Sequence, residues 1–232
     1  MKIYLDAGHN YSGFDTGAQG NGLREQDITF SVTKKLGEML IKAGFEILYS
    51  RVNLTDNVGT NLSSSINNRY KAANEWGADY FISIHCNSSA SPQANGTETL
   101  VASATSKADG LARLVNANLA ALGLTDRGVK VRDNLGVLKH TLMPAILIEL
   151  AFISNEGDAH FLAHRQDELA DAVYQAILSF TGVFAPQEHW ASEYYDYLIS
   201  HGIEILEKRF DDPISRGEAF KIFAQLLKNR KA

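Results

Sequence analysis

The sequence predicts an α/β fold: a three-layer sandwich in which a mostly parallel, twisted sheet is flanked by helices, followed by a small helical C-terminal segment. Two observations carry this reading. Short apolar runs alternate with longer stretches of helical periodicity, as in successive βαβ units. The run Ala145-Ile146-Leu147-Ile148 also lacks the polar alternation of a half-exposed strand, so it is expected to be covered on both faces.

Taken in order, residues 2–6 form the first expected strand. A glycine-rich loop (Gly13, Gly17, Gly20, Gly22) follows, and then a helix with Ile28, Val32, Leu36 and Leu40 on one face, ended by Gly44. A second strand is expected over 45–49. The serines Ser63, Ser64 and Ser65 are N-cap candidates for a helix running through Trp76, and a third strand spans 79–84. Further strands are expected over 98–102 and 135–139, with a helix between them marked by Leu111, Val115, Leu119 and Leu122. Pro144 opens the buried strand, and helical signal resumes from 156 to 180. Glycine, proline and polar residues over 182–188 read as a linker, dividing a catalytic domain over 1–181 from a helical segment over 189–232. In that segment Trp190, Tyr194, Tyr197 and Leu198, then Phe220, Phe223 and Leu227, describe two amphipathic helices about an Asp211-Asp212-Pro213 turn.

At 232 residues the chain suits one well-buried domain with an appendage, and 45% hydrophobic with 21% charged residues is an ordinary globular composition. A net charge of -5 gives no broad attraction for nucleic acid or an anionic membrane, and neither is an expected partner. No apolar run reaches the roughly 20 residues that span a bilayer. Cys86 is the only cysteine, so no intrachain disulfide can form, and it reads as a small buried residue. Met1-Lys2 leads straight into the first strand without a signal peptide. The expectation is release at lysis, as from a phage, or a mature secreted fragment.

In parallel α/β sheets ligands bind outside the carboxyl ends of the strands, where loops from several strands converge. His9 follows the first strand, His85 ends the third, and Glu149 lies near the end of the buried one. Each has a plainer reading. A lone histidine at a strand end is usually a surface or hydrogen-bonding residue, and Glu25 at the start of a helix can act through the helix dipole. Glu149 stands inside an apolar run, where an ionised carboxylate needs a partner such as Lys139 or Arg69, or a catalytic use. Two imidazoles and one carboxylate would leave zinc an open fourth position, and a glutamate of raised pKa nearby could move protons. No Gly-x-Ser-x-Gly elbow, phosphate loop or GxGxxG fingerprint is present, and the glycine-rich stretch reads as a flexible rim.

Four separated motifs, Leu5-Asp6-Ala7-Gly8-His9, Leu23-Arg24-Glu25, Ser83-Ile84-His85-Cys86-Asn87 and Glu149-Leu150-Ala151-Phe152-Ile153-Ser154-Asn155, resemble the type 3 family of N-acetylmuramoyl-L-alanine amidases in the family's order. Lesser echoes are Ser50-Arg51, Asn68-Arg69, Gly96-Thr97-Glu98 and Val137-Leu138-Lys139. The resemblance covers about residues 1–180. It implies that His9, Glu25 and His85 hold Zn2+, that Glu149 is the catalytic glutamate, and that Asn87 and Arg69 either contact substrate or brace the site. It further implies hydrolysis of the amide joining N-acetylmuramic acid to L-alanine in peptidoglycan, in cell-wall lysis or remodelling, by an endolysin or autolysin acting outside the cell. Departures are Ala7 where proline is common, Asn10 for glycine, Gln26 for lysine, Cys86 for alanine and Ala151 for glycine; these bear on substrate preference, since no ligand or base is lost. The same metal and base would also serve a zinc peptidase or N-acyl amino acid hydrolase, and a non-catalytic wall-binding module is the alternative of another class. Residues 189–227 resemble one S-layer homology repeat, through Tyr197-Leu198-Ile199-Ser200-His201-Gly202-Ile203, Phe210-Asp211-Asp212-Pro213 and Ile214-Ser215-Arg216-Gly217-Glu218-Ala219. That resemblance implies binding to secondary cell-wall polymer or assembly into a homo-oligomer; the bland reading of its aromatic stripe is ordinary helix packing.

Overall fold

Strands with no alternation need cover on both faces, and such runs form the middle of the sheet: β1 (Lys2–Ala7), β5 (Tyr80–Asn87) and β8 (Ala145–Phe152). The computed structural model describes residues 1–184, 191–205 and 213–229. It divides into two units, Met1–Ala185 and Pro186–Ala232.

In the first unit the remaining elements are β2 (Gln19–Gly20), β3 (Leu23–Arg24), α1 (Glu25–Lys42), β4 (Glu46–Tyr49), α2 (Leu62–Trp76), β6 (Thr97–Val101), α3 (Asp109–Ala121), β7 (Asp126–Val131), α4 (Gly136–Lys139), α5 (Glu156–His164) and α6 (Gln166–Thr181). The six-stranded sheet has the order β4-β1-β5-β8-β6-β7. Neighbours are parallel except β6, which runs antiparallel to β8. The predicted three-layer α/β architecture with a mostly parallel sheet is the one observed.

The two layers of cover are unequal. Ile3, Leu5, Ile82, Ile84, Ile146 and Ile148 pack on one face with Val32 and Leu36 of α1, Leu111 and Val115 of α3, and Val173 and Ile177 of α6. On the other face Tyr4, Phe81, Leu100 and Leu147 meet the buried Ala73 and the partly buried Ile66, Ala72 and Trp76 of α2, and Val137 and Leu138 of α4. Strand alternation puts His85, Glu149 and Glu98 on this second, thinly covered face, because each lies two positions from one of its core residues or from a residue that does. The carboxyl edge of the sheet is therefore open on that side.

Several local expectations are corrected. Residues 135–139 are not a strand: after extended Leu135 the chain makes the single helical turn α4, which buries the adjacent Val137 and Leu138 together. The helical run over 156–180 is two helices, broken at Arg165 (φ -124°, ψ 34°). The N-cap of α2 is Asn61, whose side chain accepts from Ser64 N in a capping box, so the serines sit inside the first turn. Two elements were not expected. Strand β7 is a charged edge strand with four of its six residues exposed, which hides the apolar signal. The hairpin β2–β3 turns on Asn21 (φ 51°) and Gly22 (φ 77°), a two-residue loop with both φ values positive.

In the second unit α7 (Ser192–Ser200) and α8 (Arg216–Asn229) are the described helices. Lys221 of α8 pairs with Glu204 at 2.9 Å, and Ile203 is buried. Most of the expected linker, Trp190, and the Phe210-Asp211-Asp212 part of the expected turn lie outside the described residues.

Candidate metal centre and active site

Three segments deliver three donor atoms to one point. The hairpin β2–β3 ends at Arg24, so Glu25 is the first residue of α1 and its side chain turns back toward β1 and β5. His9 follows β1, and His85 lies within β5, which continues to Asn87. His9 Nε2 lies 3.0 Å from Glu25 Oε1; His85 Nδ1 lies 3.1 Å from each of them. Adjacent ligands of a tetrahedral ion with bonds of 2.0–2.1 Å stand about 3.3 Å apart, so this near-equilateral triangle is close to one face of a zinc tetrahedron. Among the described residues it is the one group of three or more potential ligands this close together.

The donor chemistry also calls for a cation. His9 Nδ1 faces Asp15 Oδ1 at 2.7 Å, and Asp15 Oδ2 accepts from Ser65 Oγ at 2.8 Å. A carboxylate on Nδ1 fixes the proton there and leaves Nε2 a lone pair aimed at Glu25. Glu25 Oε1 and Oε2 already accept from Cys86 N (2.9 Å) and Ala18 N (2.7 Å), which hold the carboxylate ionised and oriented. Burial would lower the His9 pKa, but Asp15 and Glu25 outweigh it and lift it to about 9. For Glu25, burial is outweighed in turn by His85 and His9, which press its pKa well below the usual carboxylate range. Two imidazoles around an ionised carboxylate form a donor set that attracts a cation, and a metal ion bound there would compete with protons.

Around the donors the backbone is fixed. His9 itself is left-handed, with φ 68°. Arg69, buried on α2, pairs with Asp6, donates to Ala7 O at 2.7 Å and to His9 O at 2.6 Å. Arg51, fully buried, donates to Gln26 O and Leu54 O at 2.9 and 2.6 Å and reaches His9 O at 3.5 Å. Asp6 takes a second bond from Ser83 Oγ, 2.7 Å, and its pKa is lowered because Arg69 and Ser83 outweigh its burial. Arg69 thus spends its guanidinium on the strand beneath the site. Gly17 (φ 76°) is no flexible rim: a Cβ there would lie 2.7 Å from both Glu25 Oε2 and His9 Cδ2.

Glu149 is the register partner of His85 on the next strand, placing the two side chains side by side on the open face. Neither Lys139 nor Arg69 neutralises it: Lys139 is exposed and Arg69 pairs with Asp6. Its Oε2 is buried without a hydrogen-bond partner, and burial raises its pKa to about 7, with Glu25 and Glu98 adding to the rise against the histidines. Asn87 Nδ2 donates to Glu98 Oε1 at 2.9 Å. Cys86 is buried and its thiol is pushed up, by burial and then by Glu25 and Glu149, so it stays protonated. Asp15 was not singled out from the sequence and Ser65 only as an N-cap candidate; a histidine ligand commonly has a carboxylate on its second ring nitrogen, but no sequence spacing identifies it.

The known proteins that resemble this chain agree with one another. The family model described as N-acetylmuramoyl-L-alanine amidase matches residues 3–179. The chain is 36% identical over 183 residues to the N-acetylmuramoyl-L-alanine amidase LytC of Bacillus subtilis, covering 77% of this chain and 35% of LytC. It is 35% identical over 167 residues to the endolysin of Bacillus phage SPP1, covering 69% of this chain and 58% of that protein. It therefore spans well under two thirds of either relative. Among solved structures, the N-acetylmuramoyl-L-alanine amidase from Clostridium difficile 630 superposes with a TM-score of 0.69 at 30% identity, covering 78% of this chain and 96% of that one. A match running through the whole six-stranded sheet and through His9, Glu25, His85 and Glu149 makes the conclusion direct: the chain belongs to the N-acetylmuramoyl-L-alanine amidase family.

Proposed function

We propose that the protein is a zinc-dependent N-acetylmuramoyl-L-alanine amidase, which hydrolyses the amide between the lactyl group of N-acetylmuramic acid and the first L-alanine of the peptidoglycan stem. The observation that carries this is the side-by-side placement of the donor triangle and the unpartnered, buried Glu149 at the open sheet edge. His9, Glu25 and His85 would hold the ion, and a zinc ion there supplies a Lewis-acid charge for the scissile carbonyl. Glu149 accepts the proton of the attacking water and hands it to the leaving nitrogen, a task suited to a carboxyl whose pKa lies near neutrality. Asp15, Arg69 and Arg51 keep His9 in place. The 1–181 region is the proposed catalytic domain.

Wall digested by the protein should release stem peptides beginning with free L-alanine, detected by mass spectrometry, and chelator should abolish the release. Cuts only between amino acids would overturn the reading. Glu149→Gln should keep its metal, by elemental analysis, and lose about 10²–10⁴-fold in activity; full activity would remove Glu149 from the mechanism.

The proposed place of action is the wall outside the cell; no helix among the described residues is long and apolar enough to cross a membrane. For the second unit we propose adhesion to secondary wall polymer, supported by the exposed Tyr197, Phe220 and Phe223. Equal sedimentation with intact wall and with wall stripped of that polymer would refute it.

A further inference from the structure

Beyond Glu149 the open edge carries two more charged groups. Glu98 on β6 is the register partner of Glu149 across the antiparallel junction, and Arg127 on β7 reaches back over β6 to bond Glu98 Oε2 through Nε at 3.0 Å. Asn87 holds the other oxygen of Glu98, so both are occupied. Arg127 lies over the Phe152 ring, 4.8 Å from its centre, and Nη1 donates to Asn95 O at 3.3 Å. Those bonds use two of the five N–H groups of a guanidinium. Its side chain is 37% exposed where that of Arg69 is 3% exposed. One arginine is consumed by the fold; the other is aimed and fixed by it, with donors to spare.

The spacing suits a peptide. Adjacent strands lie about 4.8 Å apart, and Arg127 bonds a carboxylate rooted on β6, so its guanidinium stands about 5 Å from the Glu149 row and about 10 Å from the His85 row. An extended chain advances about 3.3–3.6 Å per residue. A substrate whose scissile carbonyl lies between His85 and Glu149 therefore brings its second or third residue to Arg127. Of the two arms of the substrate, the N-acetylated sugars are neutral and the stem is anionic. The second stem residue is a D-glutamate linked through its side-chain carboxyl, which leaves its α-carboxyl free in some walls and amidated in others.

We propose that Arg127, clamped by Glu98, is a carboxylate subsite on the leaving side that recognises the free α-carboxylate of the second stem residue and so selects unamidated wall. This rests on the amidase reading. Charge-assisted bonds from a fixed guanidinium are strong and directional, which gives the selection its size even with Glu98 beside it.

The test uses glycan strands carrying stems with D-glutamate or with D-isoglutamine. The full chain should favour the D-glutamate strands by about tenfold in kcat/KM, through KM. Arg127→Gln should bring the ratio of the two close to one, and Arg127→Lys, which keeps the charge, should recover part of it; metal content and Tm report whether each variant is folded. Cleavage of both strands by the wild type without preference overturns the subsite alone, as does a loss in Arg127→Gln that is equal for both. Cleavage of neither strand by the wild type overturns the amidase reading and the subsite with it.

Discussion

His9 combines three constraints: a left-handed backbone, a carboxylate on one ring nitrogen and two donor atoms facing the other. Its titration in the metal-free protein has a definite sign. A histidine raised from 6.5 to about 9 adds stability that is complete below pH 6.5 and lost as pH rises through 9. Glu25 is depressed below 4.5, so its contribution is present above pH 4.5 and lost as pH falls. Glu149, raised from 4.5 to about 7, resists ionisation, so its contribution is complete below pH 4.5 and lost as pH rises through 7. Apo protein is thus expected to be most stable near about pH 4.5 and to weaken toward pH 9, read as denaturant midpoints across pH. A midpoint still climbing at pH 9 would contradict the assignment. At this scale His9, Glu25 and His85 were each weak signals in the sequence and became a set through the family resemblance, while Glu149 stood out as a charge in an apolar run. Asp15 was invisible: its role depends on a loop that doubles back on His9, and loop paths leave no periodic trace.

Helix α2 shows how an element that supplies no donor sets their positions, since it carries both Arg69 and Ser65. Its start is fixed by the Asn61–Ser64 capping box. Asn61→Ala should cost about 1 kcal/mol of stability by denaturant titration, and an unchanged midpoint would mean that the turn is held by other contacts. The central strands and long helices were legible in the sequence because burial on two faces or one leaves a clear apolar pattern. The Asn21-Gly22 hairpin was legible in principle, as that dipeptide favours the positive φ values found there. Its strands are two residues each, too short for alternation to register. Strand β7 and helix α4 escaped for the opposite reasons: one is an edge with charged residues, the other a single turn with an apolar pair that also suits a strand.

For the whole molecule, the uneven covering of the sheet separates support from chemistry. The face packed by α1, α3 and α6 carries most of the apolar core, while the face bearing His85, Glu149 and Glu98 is left open at its edge. The donors are not among the core residues, so chelator-treated protein should keep its far-UV circular dichroism while its Tm falls, and added zinc should restore the Tm through preferential binding to the folded state. Loss of the secondary-structure signal on chelation would show that the fold needs the ion.

The grip of Arg69 and Arg51 on the His9 carbonyl has a consequence for metal uptake. Because two arginines already fix the backbone at His9, zinc titration of chelator-treated protein should show little further ordering of the chain, read as a small heat-capacity change. The proposed amidase activity should then follow free zinc by mass action, read as wall hydrolysis across a series of zinc buffers.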